Sequence, residues 1–442
     1  MALTPPDRSY RALLAVPALP RVLLGMTIAR VAGGMVSIAL VLFTLTEYGS
    51  PVLAGVVTFA SIMPGMLVAP IAGALLDRHG RARLVILDYL VAAASLGLIG
   101  VLALADALPA PLLVLIAAAA SLTQPLSLAG LRSLLPILAP VHLWERANAV
   151  DSNGYVVATL LGPPIAGALV GFLGGPVALI GTGLVFAIAA AVLVGMPDPR
   201  TATDSTGRLL LDAWLGLRYT LRHPTLRALA VTISVANLSG GMLNVVVPVI
   251  ILDKLGAGPL AVGVAWATMG LTGMVAAFVF GRIDSHGREK SLLVWPQVGV
   301  AVATASLLLP TGLVGIVVAL GAIGLLAGPS DIGLFTIRQR RTDPAWMGRA
   351  FAVSMGLNFI GFPIGAAVGG AWVETTVAGT ILFGVVCSAA AALLGLLLIP
   401  QDGEPVGETS RVQISEMDRA QVGETSRALV GRAEPGPPPL DP

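Results

Sequence analysis

The sequence predicts an all-α polytopic membrane protein of twelve transmembrane helices in two repeated sets of six, on three observations. Hydrophobic residues fill 56% of the 442 positions and charged residues only 11%, and mean hydropathy is +0.89, whereas soluble domains run near a quarter charged. Apolar stretches of about 20 residues, enough to cross a roughly 30 Å hydrocarbon core, recur along nearly the whole chain. A short charged segment between two of them, Gly73 to Arg83, returns in altered form at Gly281 to Lys290.

Taken in order, the apolar stretches cover residues 20–46, 51–76, 83–105, 109–132, 147–172 and 175–196, then 225–252, 258–281, 291–310, 312–336, 348–373 and 377–400. Gly, Pro, Asp and Ser mark the turns between them, as at Gly49-Ser50-Pro51 and Gly174-Gly175-Pro176. No cleavable leader is read before the first stretch, so that helix is expected to be retained. Between the two sets, Leu209 to Arg222 carries apolar residues at near-helical spacing beside Asp212, Arg218 and Arg222. That pattern reads as a short helix at the membrane surface, or as a plain tether. Beyond Pro400 the chain turns to Glu, Arg, Ser, Gly and Pro, repeats Val-Gly-Glu-Thr-Ser-Arg at 406–411 and 422–427, and is expected to be disordered. The expected organisation is an N-terminal bundle (1–196), a linker with an interfacial helix (197–224), a C-terminal bundle (225–400) and a tail (401–442).

Charge placement sets the orientation. With the N-terminus inside, all but two of the 26 Lys and Arg residues fall on inside segments; Lys254 lies outside and Arg30 lies within the first span. Turning the protein over would reverse the positive-inside rule. The expected location is the cytoplasmic (inner) cell membrane, multi-pass, with both termini cytoplasmic. The single cysteine, Cys387, excludes a disulfide framework or a Cys-based metal site. No Walker loop, Ser-His-Asp set or paired metal ligands occur, so neither an enzyme, a cofactor nor a bound metal is expected.

The repeated charged segment, Gly73-Ala-Leu-Leu-Asp77-Arg78-His-Gly80-Arg81-Ala-Arg83, resembles the loop between the second and third helices of the major facilitator superfamily. Its second copy holds Asp284, Gly287 and Arg288. Trp144-Glu-Arg146 is likewise echoed by Trp346-Met-Gly-Arg349, and a spacing of 203 residues pairs Arg146 with Arg349 and Gly162 with Gly365. The resemblance implies two six-helix bundles related by a parallel pseudo-twofold, with a cavity between them open alternately to each side. It also implies a conformational latch. Asp77 would sit at the start of the eleventh helix near Arg349, and Asp284 at the start of the fifth near Arg146, a carboxylate at a helix N-terminus contributing about 0.3 to 1 kcal/mol.

In the fifth span, Gly162-Pro163-Pro164-Ile165-Ala166-Gly167 resembles the glycine and proline signature of antiporter members, with Ala158 and Ala166 where glycine is usual; Gly361, Pro363 and Gly365 form the corresponding packing motif of the eleventh. Ordinary small-residue packing explains the same residues. The runs Leu131-Arg-Ser-Leu-Leu-Pro136 and Arg146-Ala-Asn-Ala149 resemble the macrolide-efflux type of drug:proton antiporters.

Charges inside spans are the remaining clue. A lone arginine at mid-span costs roughly 2.5 to 3.5 kcal/mol on insertion scales, so Arg30 is expected to face the cavity or a partner acid. Asp88, Asp151 and Asp331 lie a turn or two inside helices three, five and ten, as latch residues or proton carriers, and Asn237 and Asn244 join the candidate pathway. Met35, Met63, Met66, Met269 and Asn358 are further cavity candidates. The expected function is a secondary transporter, exporting amphipathic drugs or metabolites against protons. The alternatives are a small-nutrient importer or uniporter, or a transporter-like scaffold or sensor. Partners are a small-molecule substrate, protons and the lipid bilayer, with no nucleic acid.

Overall fold

The computed structural model describes residue 7 and residues 9–196, 209–282, 285–343 and 346–401, with some side chains inside these ranges left out. The tail repeats and Asp284 lie outside the described residues, as do the side chains of Asp77 and Arg349. In chain order the helices are α1 (Tyr10–Ala15), α2 (Leu19–Tyr48), α3 (Pro51–Ala60), α4 (Met63–His79), α5 (Arg81–Leu104), α6 (Ala110–Ser121), α7 (Gln124–Leu138), α8 (Trp144–Leu173) and α9 (Gly175–Leu193). They continue with α10 (Leu209–Arg222), α11 (Pro224–Val249), α12 (Pro259–Phe280), α13 (Glu289–Ala305), α14 (Gly312–Arg341), α15 (Met347–Phe359), α16 (Gly361–Val373) and α17 (Val377–Leu398).

Among the described residues, twelve helical stretches are long and apolar enough to span a membrane. Their bounds fall within a few residues of the expected ones in most cases. Three spans are interrupted, which the apolar pattern did not announce. The second divides into α3 and α4, with Pro64 in the first turn of α4; the fourth divides into α6 and α7, with Pro125 in the first turn of α7. Proline lacks the amide hydrogen that would continue the preceding helix. The two breaks meet: the Gly65 amide donates to Ser121 Oγ at 3.1 Å. The eleventh divides at Ile360 into α15 and α16.

Packing repeats between the halves. In the first, α2 packs on α8 and α9, and α5 on α9 and α7; in the second, α11 packs on α16 and α17, and α13 on α17 and α14. These are equivalent pairs under a parallel pseudo-twofold, so the molecule is two six-helix bundles. The bundles meet along two seams, α3 against α16 and α8 against α12. An even number of spans puts both ends of the helical array on one face, here called the basic face because Arg78, Arg146 and Arg288 lie on it; the opposite face is the distal face. Both seams are tight toward the distal face. A Cβ on Gly55 would stand 2.5 Å from the Ala366 carbonyl, and one on Gly263 would stand 2.8 Å from that of Pro163.

Helix α10 packs on α15 and on α4, one from each bundle. Tyr219 stacks on Trp346 with ring centroids 4.9 Å apart, and its hydroxyl accepts from the Asp343 amide at 3.3 Å. Burial holds the Tyr219 phenol above its ordinary range. Trp214 and Leu221, one face of the helix seven residues apart, remain exposed.

Candidate functional site

A cavity of about 580 Å³ opens between the bundles, within the size range of small-molecule sites. The first bundle supplies most of its wall, including Arg30, Asp88, Tyr89, Tyr155 and Phe186, and the second supplies Asn244, Trp266, Met269 and Phe362. The wall is mainly apolar, with a few polar groups converging on it.

Arg30 stands eleven residues from the start of α2, about 17 Å along the helix axis, and finds its partner on α8. Its Nη2 donates to Asp151 Oδ1 at 2.5 Å, and its Nη1 donates to the Asp151 carbonyl. Both side chains are largely buried, at 13% and 10% exposure. The guanidinium also lies 3.8 Å from the centre of the Tyr155 ring, a cation–π contact that strengthens as water is excluded. Gly154 makes room for it, since a Cβ there would stand 2.8 Å from Nη1. Each unit charge of this pair is therefore neutralised in place. Removing one partner from such a buried pair costs about 3 to 5 kcal/mol, because the other is left uncompensated.

Asp88 is in a different situation. It is 5% exposed and lines the cavity, yet its carboxylate accepts from the hydroxyl of Thr123 at 2.7 Å and has the hydroxyl of Ser127 beside it. Thr123 lies in the break between α6 and α7, and its hydroxyl is also 3.1 Å from the Ala120 carbonyl.

Of the other expected site residues, Asn244 and Met269 line the cavity, whereas Met63, Met66, Asn237 and Asp331 do not. Met35 is buried in the core at 1% exposure. Asn237 donates to the Asn358 carbonyl at 2.8 Å, tying α11 to α15. Pro163 also lines the cavity. Gly162 crosses Gly34, Gly167 meets Gly263 across the seam, and Gly361 and Gly365 press on the carbonyls of Ser234 and Leu238; Pro363 is buried. In the loops, Gly80 and Gly287 take positive φ of 95° and 72°, a region that favours glycine. Arg78 and Arg288 are exposed and Arg81 half-buried. Arg146 sits 5.5 Å from the Tyr10 ring.

Arg338 belongs to the basic residues counted on the inside segments, and its burial was not expected. Helix α14 runs on to Arg341, and Arg338 is fully buried. Its Nη1 lies 2.9 Å from Met355 Sδ, its guanidinium 5.8 Å from the Phe335 ring, and the Asn358 amide oxygen, correctly oriented, accepts from Nη2 at 2.6 Å. Tyr89, Tyr155, Thr123 and Ser127 were also missed. Their signal is helical phase relative to Arg30 and Asp88, which depth alone does not supply.

The sequence pattern of the Major Facilitator Superfamily matches residues 22–238 and again 229–422. The chain is 37% identical over 400 residues to an uncharacterized MFS-type transporter, y4rN, of Sinorhizobium fredii, covering 90% of this chain and 98% of that one. It is 27% identical to the multidrug efflux pump Tap of Mycolicibacterium fortuitum (76% and 84% covered). It is 19% identical to macrolide efflux protein A of Streptococcus pyogenes (77% and 85%). Among solved structures, a bacterial homolog of the human lysosomal transporter Spinster superposes with a TM-score of 0.68 at 14% identity, covering 90% of this chain and all of that one.

Proposed function

Because the chain belongs to the Major Facilitator Superfamily, a family of transporters, we propose that it exports amphipathic drugs or metabolites by proton-driven alternating access. The observation that carries this reading is the cavity itself: about 580 Å³, mainly apolar, walled by both bundles and sealed toward the distal face by two glycine-lined seams. A cavity of that kind takes up a bulky, weakly polar solute from the basic face and releases it once the seams part. Two relatives named as multidrug and macrolide efflux proteins support the same direction and solute class.

We read the basic face as cytoplasmic on the distribution of Lys and Arg, in the inner cell membrane, with both termini inside. The N-terminal bundle is residues 1–196, the linker 197–224, the C-terminal bundle 225–400 and the tail 401–442. The loops holding Asp77 and Asp284 act as latches on the basic face, toward Arg349 and Arg146. One proton moving down about 100 mV releases about 2.3 kcal/mol, which sustains a roughly fifty-fold solute gradient.

The test is ethidium accumulation in drug-sensitive cells expressing the protein, with and without a protonophore. Expression should lower accumulation, and the protonophore should restore it. Accumulation equal to that of the empty vector removes the broad export reading; accumulation above it supports the importer.

A further inference from the structure

Two carboxylates are buried inside the first bundle, and only one is free to change charge. Asp151 is held by Arg30 through its side chain and its carbonyl, so protonating it strands a buried guanidinium. Asp88 has no cationic partner among the described residues; its neighbours are hydroxyls.

We propose that Asp88 is the proton-carrying carboxylate of this transporter, and that the hydroxyls of Thr123 and Ser127, set at the break in the fourth span, switch between its two charge states. The proposal rests on the proton-coupled reading above and assigns its carrier. Each hydroxyl has two acceptors within reach. Thr123 Oγ1 is 2.7 Å from Asp88 Oδ1 and 3.1 Å from the Ala120 carbonyl; Ser127 Oγ is beside Asp88 and 3.2 Å from the Gln124 carbonyl. With Asp88 ionised, both hydroxyls turn toward it. A hydronium in the cavity then gives up a proton: an O–H bond forms on Asp88, one breaks on the hydronium, and water is left. The new Asp88 hydroxyl donates to Thr123 Oγ1, which turns its own proton to the Ala120 carbonyl, while Ser127 turns to Gln124. No donor is orphaned in either state, which buried polar groups demand.

Water reaches the carboxylate because Asp88 lines the cavity. The other titratable groups that line the cavity with it are Tyr89 on its own helix, Arg30 on α2, already paired, and Tyr155 on α8. Helices α6 and α9 carry no charged residue, and the one on α7, Arg132, has its side chain outside the described residues.

The experiment is infrared spectroscopy of the full-length protein reconstituted in phosphatidylcholine–phosphatidylglycerol bilayers, titrated across the neutral pH range in potassium or sodium chloride. The wild type should show a protonated-carboxyl band that disappears on deprotonation, is lost in Asp88→Asn and persists in Asp331→Asn. Thr123→Val should shift the band by removing the acceptor of the acid proton, and Asp88→Glu should retain it with a moved midpoint, which separates titration from misfolding. A band that survives in Asp88→Asn, or no titrating band in the wild type, overturns the assignment. A midpoint moved tenfold by exchanging potassium for sodium overturns it in favour of a sodium site. Failure of ethidium export with the Asp88 band present removes the export reading alone; proton-driven export without that band removes this one alone.

Discussion

The two bundles share one scaffold and differ in where they bury charge. Across the 203-residue spacing, Asp151 and Tyr155 of the first correspond to Ser354 and Asn358 of the second. Asp151 and Tyr155 face a buried arginine, and so does Asn358. In the first bundle it is Arg30, from mid-span of α2, with a carboxylate and a ring around it. In the second it is Arg338, three residues from the end of α14, near Met355, the Asn358 amide and the Phe335 ring. The glycine contacts at the seams recur in both halves, whereas among the described residues charge on the cavity wall occurs only in the first; the second contributes Asn244, Trp266, Met269 and Phe362. Packing requirements act on every helix of a repeat, but a coupling site is needed once.

The comparison breaks first at the arginines if it is wrong. Arg30→Ala or Asp151→Ala should lower stability by about 3 to 5 kcal/mol, since each strands a buried charge, and Arg30→Met with Asp151→Leu should recover most of that. Asn358→Ala removes a hydrogen bond to a charged group and should cost about 1.5 to 3 kcal/mol. Thermal unfolding in detergent measures all of these, and equal losses in the two bundles would contradict the asymmetry.

The seams should respond alike. Gly263→Val and Gly55→Val each force a Cβ against a facing carbonyl, and overpacking of this kind costs about 1 to 3 kcal/mol. Both should also raise labelling, from the distal side, of a cysteine placed at Ser95 in the cavity wall. A large effect at one seam only would show that the pseudo-twofold does not extend to the gate.

The smallest effect belongs to the junction between the halves. His223 caps α11 by accepting from the Leu226 amide at 3.4 Å, and burial, against an opposing hydrogen bond to the Arg341 backbone, lowers its pKa below the ordinary 6.5. The folded state therefore favours the neutral ring. Stability is fully present above 6.5 and falls as pH drops from there through the lowered value, by about 1 kcal/mol if the cap is lost. The melting temperature of His223→Gln should lack that slope.

Span count, the repeat and the cost of Arg30 were legible because apolar length and charge depth are written along the chain. Which acid pairs with Arg30 was not, because depth does not give the face of a helix: Asp88 and Asp151 lie at similar depth, and only the crossing of α2 with α8 selects Asp151. The burial of Arg338 was not legible for the converse reason, since a position near a helix end does not reveal that α15 covers it. The helix breaks escaped because Pro64 and Pro125 are compatible with either a kink or a restart.

The central claim, that coupling resides in the first bundle, is tested most directly by counting protons released per ethidium transported in proteoliposomes. Wild type and Asn244→Ala should release protons in step with transport, the latter at altered apparent affinity, while Asp88→Asn should move ethidium only downhill with no proton release. Undiminished proton release in Asp88→Asn, or its loss in Asn244→Ala, would contradict the account.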